Sequence, residues 1–478
     1  MNTLANAIET EDNQTVTEKG MAALKSSMNK NVDLFFQAGA MRGKDIIPAF
    51  QAAFDENSEI ASRIALWLRD VREGAGERQL FRDIAKYLEV KSPSMLKRMI
   101  PAIPELGRWD DLLVFTTEEM KKQAYTLVLY ALNNKNALCA KWMPRKGLVA
   151  AEISDFCNAS PKHWRKTLVA LTDVVEQKMC AKEWSSINFG KLPSIASKRY
   201  SKAFQRNVHD LYTAYLGRLS EGNDKVNAGA IYPHQVMEKI ENHEDAILAD
   251  AMWKALPNFL GNQSILPMID TSGSMHAGNV AHVAFGLGMY LAEKSKGPFK
   301  DCFLTFSENS ELQKLTGSIT SRYQQVNTAG WGGTTNIASA FNAILDMAVR
   351  NKVSQSEMPE MLLILSDMQF DQCVDLGNGP TMWENPSYGI YGATTTPKNP
   401  KAMEMIRIKY ERAGYRVPKI VFWNIADRGG NIPVKFNEKG VALVSGWSPS
   451  IMKSVLKADN FTPAGIMLET ILQDRYKI

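Results

Sequence analysis

Beyond Pro257 the chain changes its hydrophobic period, and that change constrains the fold more than any other feature. Short apolar runs of strand length stand at Ser264–Ile269, Asp301–Phe306, Met361–Ser366, Pro418–Trp423 and Val441–Val444. Amphipathic stretches near 279–295, 336–350, 400–413 and 449–457 alternate with them. Runs that are apolar on both faces and separated by helix-length segments predict a doubly wound, mostly parallel sheet covered by helices. We therefore expect a Rossmann-like α/β domain over 258–478. The Gly- and Pro-rich stretch 371–400 reads as a long loop inserted after a strand.

Upstream the period is helical. Ile60, Ile64, Trp67, Leu68 and Val71 recur at spacings of three and four, one face of a helix. Gly74-Ala75-Gly76 interrupts, and a second helix begins at Gln79-Leu80-Phe81. Ser92-Pro93-Ser94 reads as another helix start. Further helices fit 119–133, 161–180, 194–219 and 235–254. A run of helices without strand signal predicts an α-helical solenoid or antiparallel stack over 21–257. No strict repeat is present. Residues 1–20, polar and poor in anchors, read as a loose tail. Trp67, Trp109 and Trp142, set among apolar residues, are expected in the core.

Composition narrows the environment. The 5 cysteines are scattered, odd in number and never in a Cys-x-x-Cys pair. Reduced thiols and a cytoplasmic location are expected, not a disulfide framework or thiolate zinc site. No window approaches the roughly 18–20 apolar residues that span a bilayer, and the N-terminus lacks the basic and apolar regions of a secretion signal. The net charge is only +5. Between Lys141 and Arg206, however, 13 Lys+Arg face 5 Asp+Glu, a local +8. Such concentration points to an anionic partner, although a solvated basic face accounts for the charge equally well. Within it Arg145, Lys146, Lys162, His163, Trp164, Arg165 and Lys166 combine cations with an aromatic ring, as single-strand binders do.

In an open parallel sheet, ligands bind beyond the carboxyl ends of the strands. Three segments converge there: Asp270-Thr271-Ser272-Gly273-Ser274-Met275, Gly330-Trp331-Gly332-Gly333-Thr334-Thr335-Asn336, and Ser366-Asp367-Met368. The carboxylates of Asp270 and Asp367 with the hydroxyls of Ser272, Ser274 and Thr335 form an oxygen-only donor set. That suits Mg2+, or another divalent cation such as Mn2+ or Ca2+. Few direct carboxylates leave the ion charge with which to take an outside carboxylate or phosphate. An ordinary capping turn explains the first loop but not the other two. Hydrolytic alternatives fit poorly. An aspartyl nucleophile needs a second carboxylate two residues on, where Ser272 stands. A P-loop needs Lys after its last glycine, and none follows Gly333.

These three loops, D-x-S-G-S-M, G-G-T-T-N and L-S-D in this order, resemble the von Willebrand A family and its metal-ion-dependent adhesion site. The resemblance favours Thr335 over Thr334 as ligand, since the family's liganding Thr stands just before Asn or a similar polar residue. The helical half resembles the TROVE module, the RNA-binding module of the Ro autoantigen. The resemblance is carried by Trp67-Leu68-Arg69-Asp70-Val71-Arg72-Glu73-Gly74-Ala75-Gly76-Glu77-Arg78-Gln79-Leu80-Phe81-Arg82, by Gly107-Arg108-Trp109-Asp110-Asp111-Leu112-Leu113, and by Ser197-Lys198-Arg199-Tyr200. Together the two resemblances cover about residues 20–460. They imply a ring or horseshoe of HEAT-like helix pairs with an A domain. The partners implied are small structured non-coding RNA and single-stranded RNA ends, bound without catalysis. Arg69, Arg72, Arg78, Lys141, Lys198 and Arg199 join the basic residues above as RNA-contact candidates. The signature arginines lie beside Asp70, Glu73, Glu77 and Asp83, so buried ion pairs are their alternative role. A second functional reading is a protein-interaction scaffold, in which the cation grips an acidic residue of a protein partner.

Overall fold

The computed structural model describes residues 12–172, 174–227, 231–241, 246–276, 279–306, 310–329, 336–370, 402–428 and 430–478. The chain forms two compact units. One comprises Met1–Asp33, Leu260–Val444 and Asp459–Ile466, the other Leu34–Phe259, Ser445–Ala458 and Met467–Ile478. A single cut near 257 therefore does not divide the chain.

The first unit is built on a sheet. Strands β1 (Gln14–Val16) and β2 (Ala22–Leu24) pair antiparallel as a small hairpin. The remaining strands are β3 (Ile265–Asp270), β4 (Cys302–Phe306), β5 (Leu312–Lys314), β6 (Met361–Ser366), β7 (Lys419–Asn424) and β8 (Val441–Ser445). They form one sheet in the order β5-β4-β3-β6-β7-β8. β4-β3-β6-β7 are parallel and β5 is antiparallel to β4. Every residue of β3 and β6 is buried, as expected for strands covered on both faces. Pro267 is tolerated in β3 because the ladder to β4 begins only at Met268, so one side of Pro267 behaves as an edge. The helix Val280–Lys294 lies on β3 with apolar residues buried nearly all round. Gly288 allows that approach, since a Cβ there would overlap the Ile269 side chain.

The stretch read as a loose tail is ordered from residue 12. Leu24 pairs with Ile432, and the Thr17 hydroxyl donates to the Phe370 carbonyl at 2.5 Å. This segment is held by backbone and hydroxyl bonds, with Val16 itself exposed, so hydropathy gives it no signature. The expected insertion 371–400 lies outside the described residues.

The second unit is helical. Ser58–Arg69 starts on Asn57, whose side chain caps the Ile60 N–H at 3.0 Å. It buries Ile64, Trp67 and Leu68, and the Trp67 ring lies 4.5 Å from that of Phe35. Helices at Gln79–Lys91, Pro93–Met99 and Glu118–Asn133 follow. The long stretches expected at 161–180 and 194–219 are each broken into two, Pro161–Leu171 with Val175–Cys180 and Ser194–Asn207 with His209–Ser220, and 235–254 is helical over Pro233–Glu241 and Ala246–Lys254, with 242–245 outside the described residues. Trp109 and Trp142, expected in the core, are only half-buried, and the Arg108 guanidinium lies 4.0 Å from the Trp142 ring centre.

A buried charge network ties this unit together. Arg69 is 1% exposed and forks onto Asp111 Oδ2, with Nε and Nη2 both at 2.7 Å. Asp111 Oδ1 takes the Arg82 Nε at 2.7 Å, and the Arg108 backbone N–H caps Oδ2 at 2.9 Å. Gly107 makes room, since a Cβ there would sit 2.6 Å from both Arg69 Nε and Asp111 Oδ2. Asp70, fully buried, is gripped by Arg475 and by the Tyr476 hydroxyl at 2.9 Å, which pins the chain's last turn.

Removing one partner of a buried pair strands the other charge. Asp111→Ala should lower unfolding free energy by roughly 3–5 kcal/mol in chemical denaturation, by leaving Arg69 uncompensated. Arg63→Ala, breaking the surface pair with Glu59, should cost about 0.5 kcal/mol or less. Equal losses would show that the Asp111 network carries no special weight.

Candidate functional site

In the sheet, β3 has β4 on one side and β6 on the other, and the connections run outward in opposite directions from there. Strand order reverses between β3 and β6, which opens a crevice at their carboxyl ends. Ile269 is level with Leu365, so Asp270 leaves β3 beside Ser366. The Ser366 hydroxyl donates to Asp270 Oδ2 at 2.6 Å, and Asp270 Oδ1 accepts the Ser272 N–H at 2.9 Å. That second bond turns the chain back over the strand end. It brings the Ser272 and Ser274 hydroxyls to 2.9 Å from each other. Asp367 follows on β6, fixed by a 3.3 Å bond from the Gln369 N–H. Thus Asp270, Ser272, Ser274 and Asp367 meet at one corner. Thr335, with Gly332 and Gly333, lies outside the described residues.

The corner is electrostatically uncomfortable. Asp270 is wholly buried, and desolvation together with the Asp367 charge lifts its pKa to about 6. Burial also raises Asp367, against the pull of nearby hydrogen bonds and of Arg428 and Lys19. Asp367 Oδ2 and Thr271 Oγ1 are buried without a hydrogen-bond partner among the described residues. Two under-compensated carboxylates beside two hydroxyls fit the chemistry of a hard divalent cation, which would supply the missing positive charge. Among the described residues no group of three or more His, Cys, Asp or Glu gathers, at this corner or elsewhere.

Several participants were invisible to motif reading. Arg428, beyond β7, donates from Nη2 to the Ser274 carbonyl at 2.6 Å and places Nε 3.4 Å from Asp367 Oδ2. Gln369 donates to the Arg428 carbonyl and accepts the Glu18 N–H at 2.9 Å. Ser366 lay within the third loop, but nothing marked it as a partner of Asp270. For Arg428 the usable signal was topological, since a loop following a parallel strand emerges at the same end of the sheet.

The RNA-contact candidates separate by environment. Arg69 must be withdrawn, because it is buried on Asp111. Arg78 is ion-paired to Asp110 at 2.8 Å, and Arg72 donates to the Glu105 carbonyl at 2.6 Å. Lys141 faces Glu176 at 3.8 Å and Lys198 faces Glu238 at 2.5 Å. Arg199 and His163 are exposed. Arg145, Lys146, Lys162, Arg165 and Lys166 are also exposed and make no ion pair among the described residues. They are organised by Trp164, which is buried and donates its indole N–H to the Pro144 carbonyl at 2.9 Å. This clips the turn carrying Arg145 and Lys146 to the helix Pro161–Leu171. On that helix Lys162, Arg165 and Lys166 share one face at spacings of three and four, opposite Trp164 and Leu168.

The Asp270 environment has a measurable consequence. Its folded pKa of about 6 exceeds the ordinary 3.8, so the folded state holds the proton more tightly. The group favours folding fully below the ordinary value, and that contribution is lost as pH rises through about 6. In chelator, Asp270→Asn should therefore be more stable than the parent above this range, by about 1–3 kcal/mol. The difference should close near pH 4, as read by denaturant titration across pH. A destabilised variant at neutral pH would contradict the assignment.

Two family models, each described as a domain of unknown function, match separate parts of the chain. Residues 264–473 match the family model Domain of unknown function (DUF7788). Residues 17–113 and 158–263 match Domain of unknown function (DUF2828). An uncharacterised protein of Acanthamoeba polyphaga mimivirus is 29% identical over 524 residues, covering 96% of this chain and 87% of its own. Among solved structures, that of the Deinococcus radiodurans RO (RSR) protein aligns over 93% of both chains at 13% identity, with a TM-score of 0.34.

Proposed function

We propose that this chain is a non-enzymatic RNA-binding protein whose helical unit supplies the RNA-contact surface and whose sheet unit is a von Willebrand A-type domain. The observation that carries the RNA reading is the ridge of five unpaired cations, Arg145, Lys146, Lys162, Arg165 and Lys166, locked together by the Trp164–Pro144 bond. A ridge of mobile surface charges needs no such clip, whereas phosphates are read best by cations held at fixed spacing. The TROVE-like signature supports the reading at the level of resemblance. Arg69, Arg78 and Arg82 of that signature serve the Asp110–Asp111 network, which favours contact at the ridge downstream. The expected RNA is small and structured, or a single-stranded end, and the HEAT-like arrangement belongs to the same proposal. The cytoplasm is the proposed location, and no described helix is long and apolar enough to cross a membrane.

In the sheet unit Asp270, Ser272, Ser274 and Asp367, with Thr335, would hold Mg2+ or a similar ion. The ion would supply the positive charge that the buried carboxylates lack. Serine at 272, where an aspartyl nucleophile system needs its second carboxylate, favours binding over hydrolysis. A second reading, capture of an acidic group of a partner protein by the ion, is favoured by the same corner. There a cation with few direct carboxylates retains charge for an outside ligand.

RNA affinity, measured by filter binding on a small structured RNA, should fall steeply with salt. Replacing Arg145, Lys146, Arg165 and Lys166 together by Gln should lower the salt slope by about 3 for a single strand, from roughly 0.7 per phosphate contact. Asp270→Ala should abolish cation binding and leave RNA affinity within about twofold, as expected for two independent sites. No RNA affinity at low salt in the parent protein would refute the leading function.

A further inference from the structure

The arginine cluster of the helical unit is satisfied for its carboxylates but not for its guanidinium groups. Asp110 Oδ2 meets three of them, Arg78 Nη2 at 2.8 Å, Arg82 Nη2 at 3.2 Å and Arg108 Nη2 at 3.2 Å. Asp111 pairs with Arg69 Nη2 and Arg82 Nε, each at 2.7 Å, with Arg78 Nε at 3.7 Å. Four guanidinium groups therefore share two carboxylates, which leaves an excess of positive charge. The acids next to them in sequence do not redress it. Asp83 accepts from Gln79 at 2.9 Å, and the Glu105 charge is matched by that of Arg72, held on the Glu105 carbonyl at 2.6 Å.

The excess is open to solvent at two positions. The Arg78 side chain is 43% exposed and that of Arg108 27%, whereas Arg69 is buried. A guanidinium carries five N–H donors. Arg78 donates one hydrogen bond and Arg108 two, all to Asp110, and neither donates from Nη1 among the described residues. Arg82 Nη2 is buried without a hydrogen-bond partner among the described residues. Arg108 is further fixed by the Trp142 ring, whose centre lies 4.0 Å from its guanidinium carbon. Burial lowers the Arg108 pKa, and the charges of Arg78 and Arg69 add to that effect against Asp110 and Asp111. An anion beside these groups would remove their mutual repulsion.

We propose that Arg78 and Arg108, backed by Arg82, form an anion site separate from the basic ridge, and that its ligand is a phosphate dianion, carried as a terminal phosphate or as the free ion. Charge selects the class. A carboxylate brings one negative charge, and so does each internal phosphodiester of a nucleic-acid backbone. A phosphate monoester brings roughly 1.5 to 2 at pH 7, with three acceptor oxygens to divide between two guanidinium groups. Guanidinium forks match phosphate oxygens in pairs. The site stands whether or not the ridge binds RNA.

The test titrates inorganic phosphate and acetate into the full chain by calorimetry, at matched ionic strength. Phosphate should bind about tenfold more tightly than acetate, as one additional charge-assisted hydrogen bond would give. R78Q and R108Q should each lose about tenfold in phosphate affinity. R78K, which keeps the charge without the fork, should fall between R78Q and the parent. Circular dichroism and denaturation midpoints near those of the parent show that each variant is folded. Replacing Arg145, Lys146, Arg165 and Lys166 together by Gln should leave phosphate affinity within about twofold. An oligoribonucleotide with a terminal phosphate, compared with its hydroxyl-ended form, then identifies the source. A preference for the phosphorylated end that is lost in R78Q assigns the site to a nucleic-acid terminus, and no preference assigns it to the free ion. Acetate equal to phosphate, phosphate affinity untouched in R78Q and R108Q, or affinity lost in the ridge variant alone overturns the site. Phosphate binding without RNA affinity refutes the ridge reading and leaves this site standing.

Discussion

Two carboxylates buried together at the ends of adjacent parallel strands set the terms for the sheet unit. Asp270 and Asp367 are each within 1% of complete burial, where an unpaired charge costs several kcal/mol. The surrounding chain lowers that cost without cancelling it. Ser366 and the Ser272 N–H satisfy Asp270, and Gln369 satisfies one oxygen of Asp367. The other oxygen lies 3.4 Å from Arg428 Nε, and the Ser274 hydroxyl and the Lys19 charge also act on this carboxylate. The corner is hydrogen-bonded but short of positive charge, and its network does not close on itself.

The helical unit shows what closure looks like. Asp111 receives Arg69, Arg82 and a backbone N–H, while Asp70 receives Arg475, Tyr476 and the Arg72 N–H. Those carboxylates have nothing left to bind, and they hold Arg69 and Arg82 inside the fold while Arg72 and Arg78 stay exposed. The same criterion applied to the surface selects cations with the opposite property. Arg145, Lys146, Lys162, Arg165 and Lys166 are exposed, unpaired and held in register, whereas Lys141 and Lys198 are partly neutralised by glutamates. Sequence motif and exposed charge thus part company: the motif builds the scaffold, and the less patterned stretch after it carries the surface cations.

The parallel strands were legible in sequence because burial on both faces writes an uninterrupted apolar run, and Met361–Ser366 was read to the residue. Asp270, Ser272, Ser274 and Asp367 were legible for a related reason, since polar residues directly after such runs must lie at strand ends. β5 and the β1–β2 hairpin were missed. They are only 3 residues each and are held by backbone pairing, which leaves no period to detect. Arg69 was misassigned because a buried and an exposed arginine read alike until the partner is known, and Asp111 is 42 residues away. Helix breaks such as the one at Thr172 fell inside amphipathic stretches whose period continues across them.

Strand register explains how such distant segments reach one corner. Ile269 is level with Leu365 and Ser366 with Asn424, so the chain leaves β3, β6 and β7 at nearly one height. Anything within a few residues of those exits is drawn to the same rim, which is how Arg428, four residues past Asn424, meets Ser274 and Asp367. The N-terminal hairpin arrives by a different route, pairing with Ile432 and bonding Phe370, so it bridges two of those exit loops. A parallel sheet therefore converts a sequence separation of more than 150 residues, Ser274 to Arg428, into a hydrogen bond of 2.6 Å. Its inner donors are fixed by the strands, and its outer charges come from loops and from the hairpin. Substitutions at the strand ends therefore reach the buried carboxylates directly, whereas those in the loops change only the charge around them.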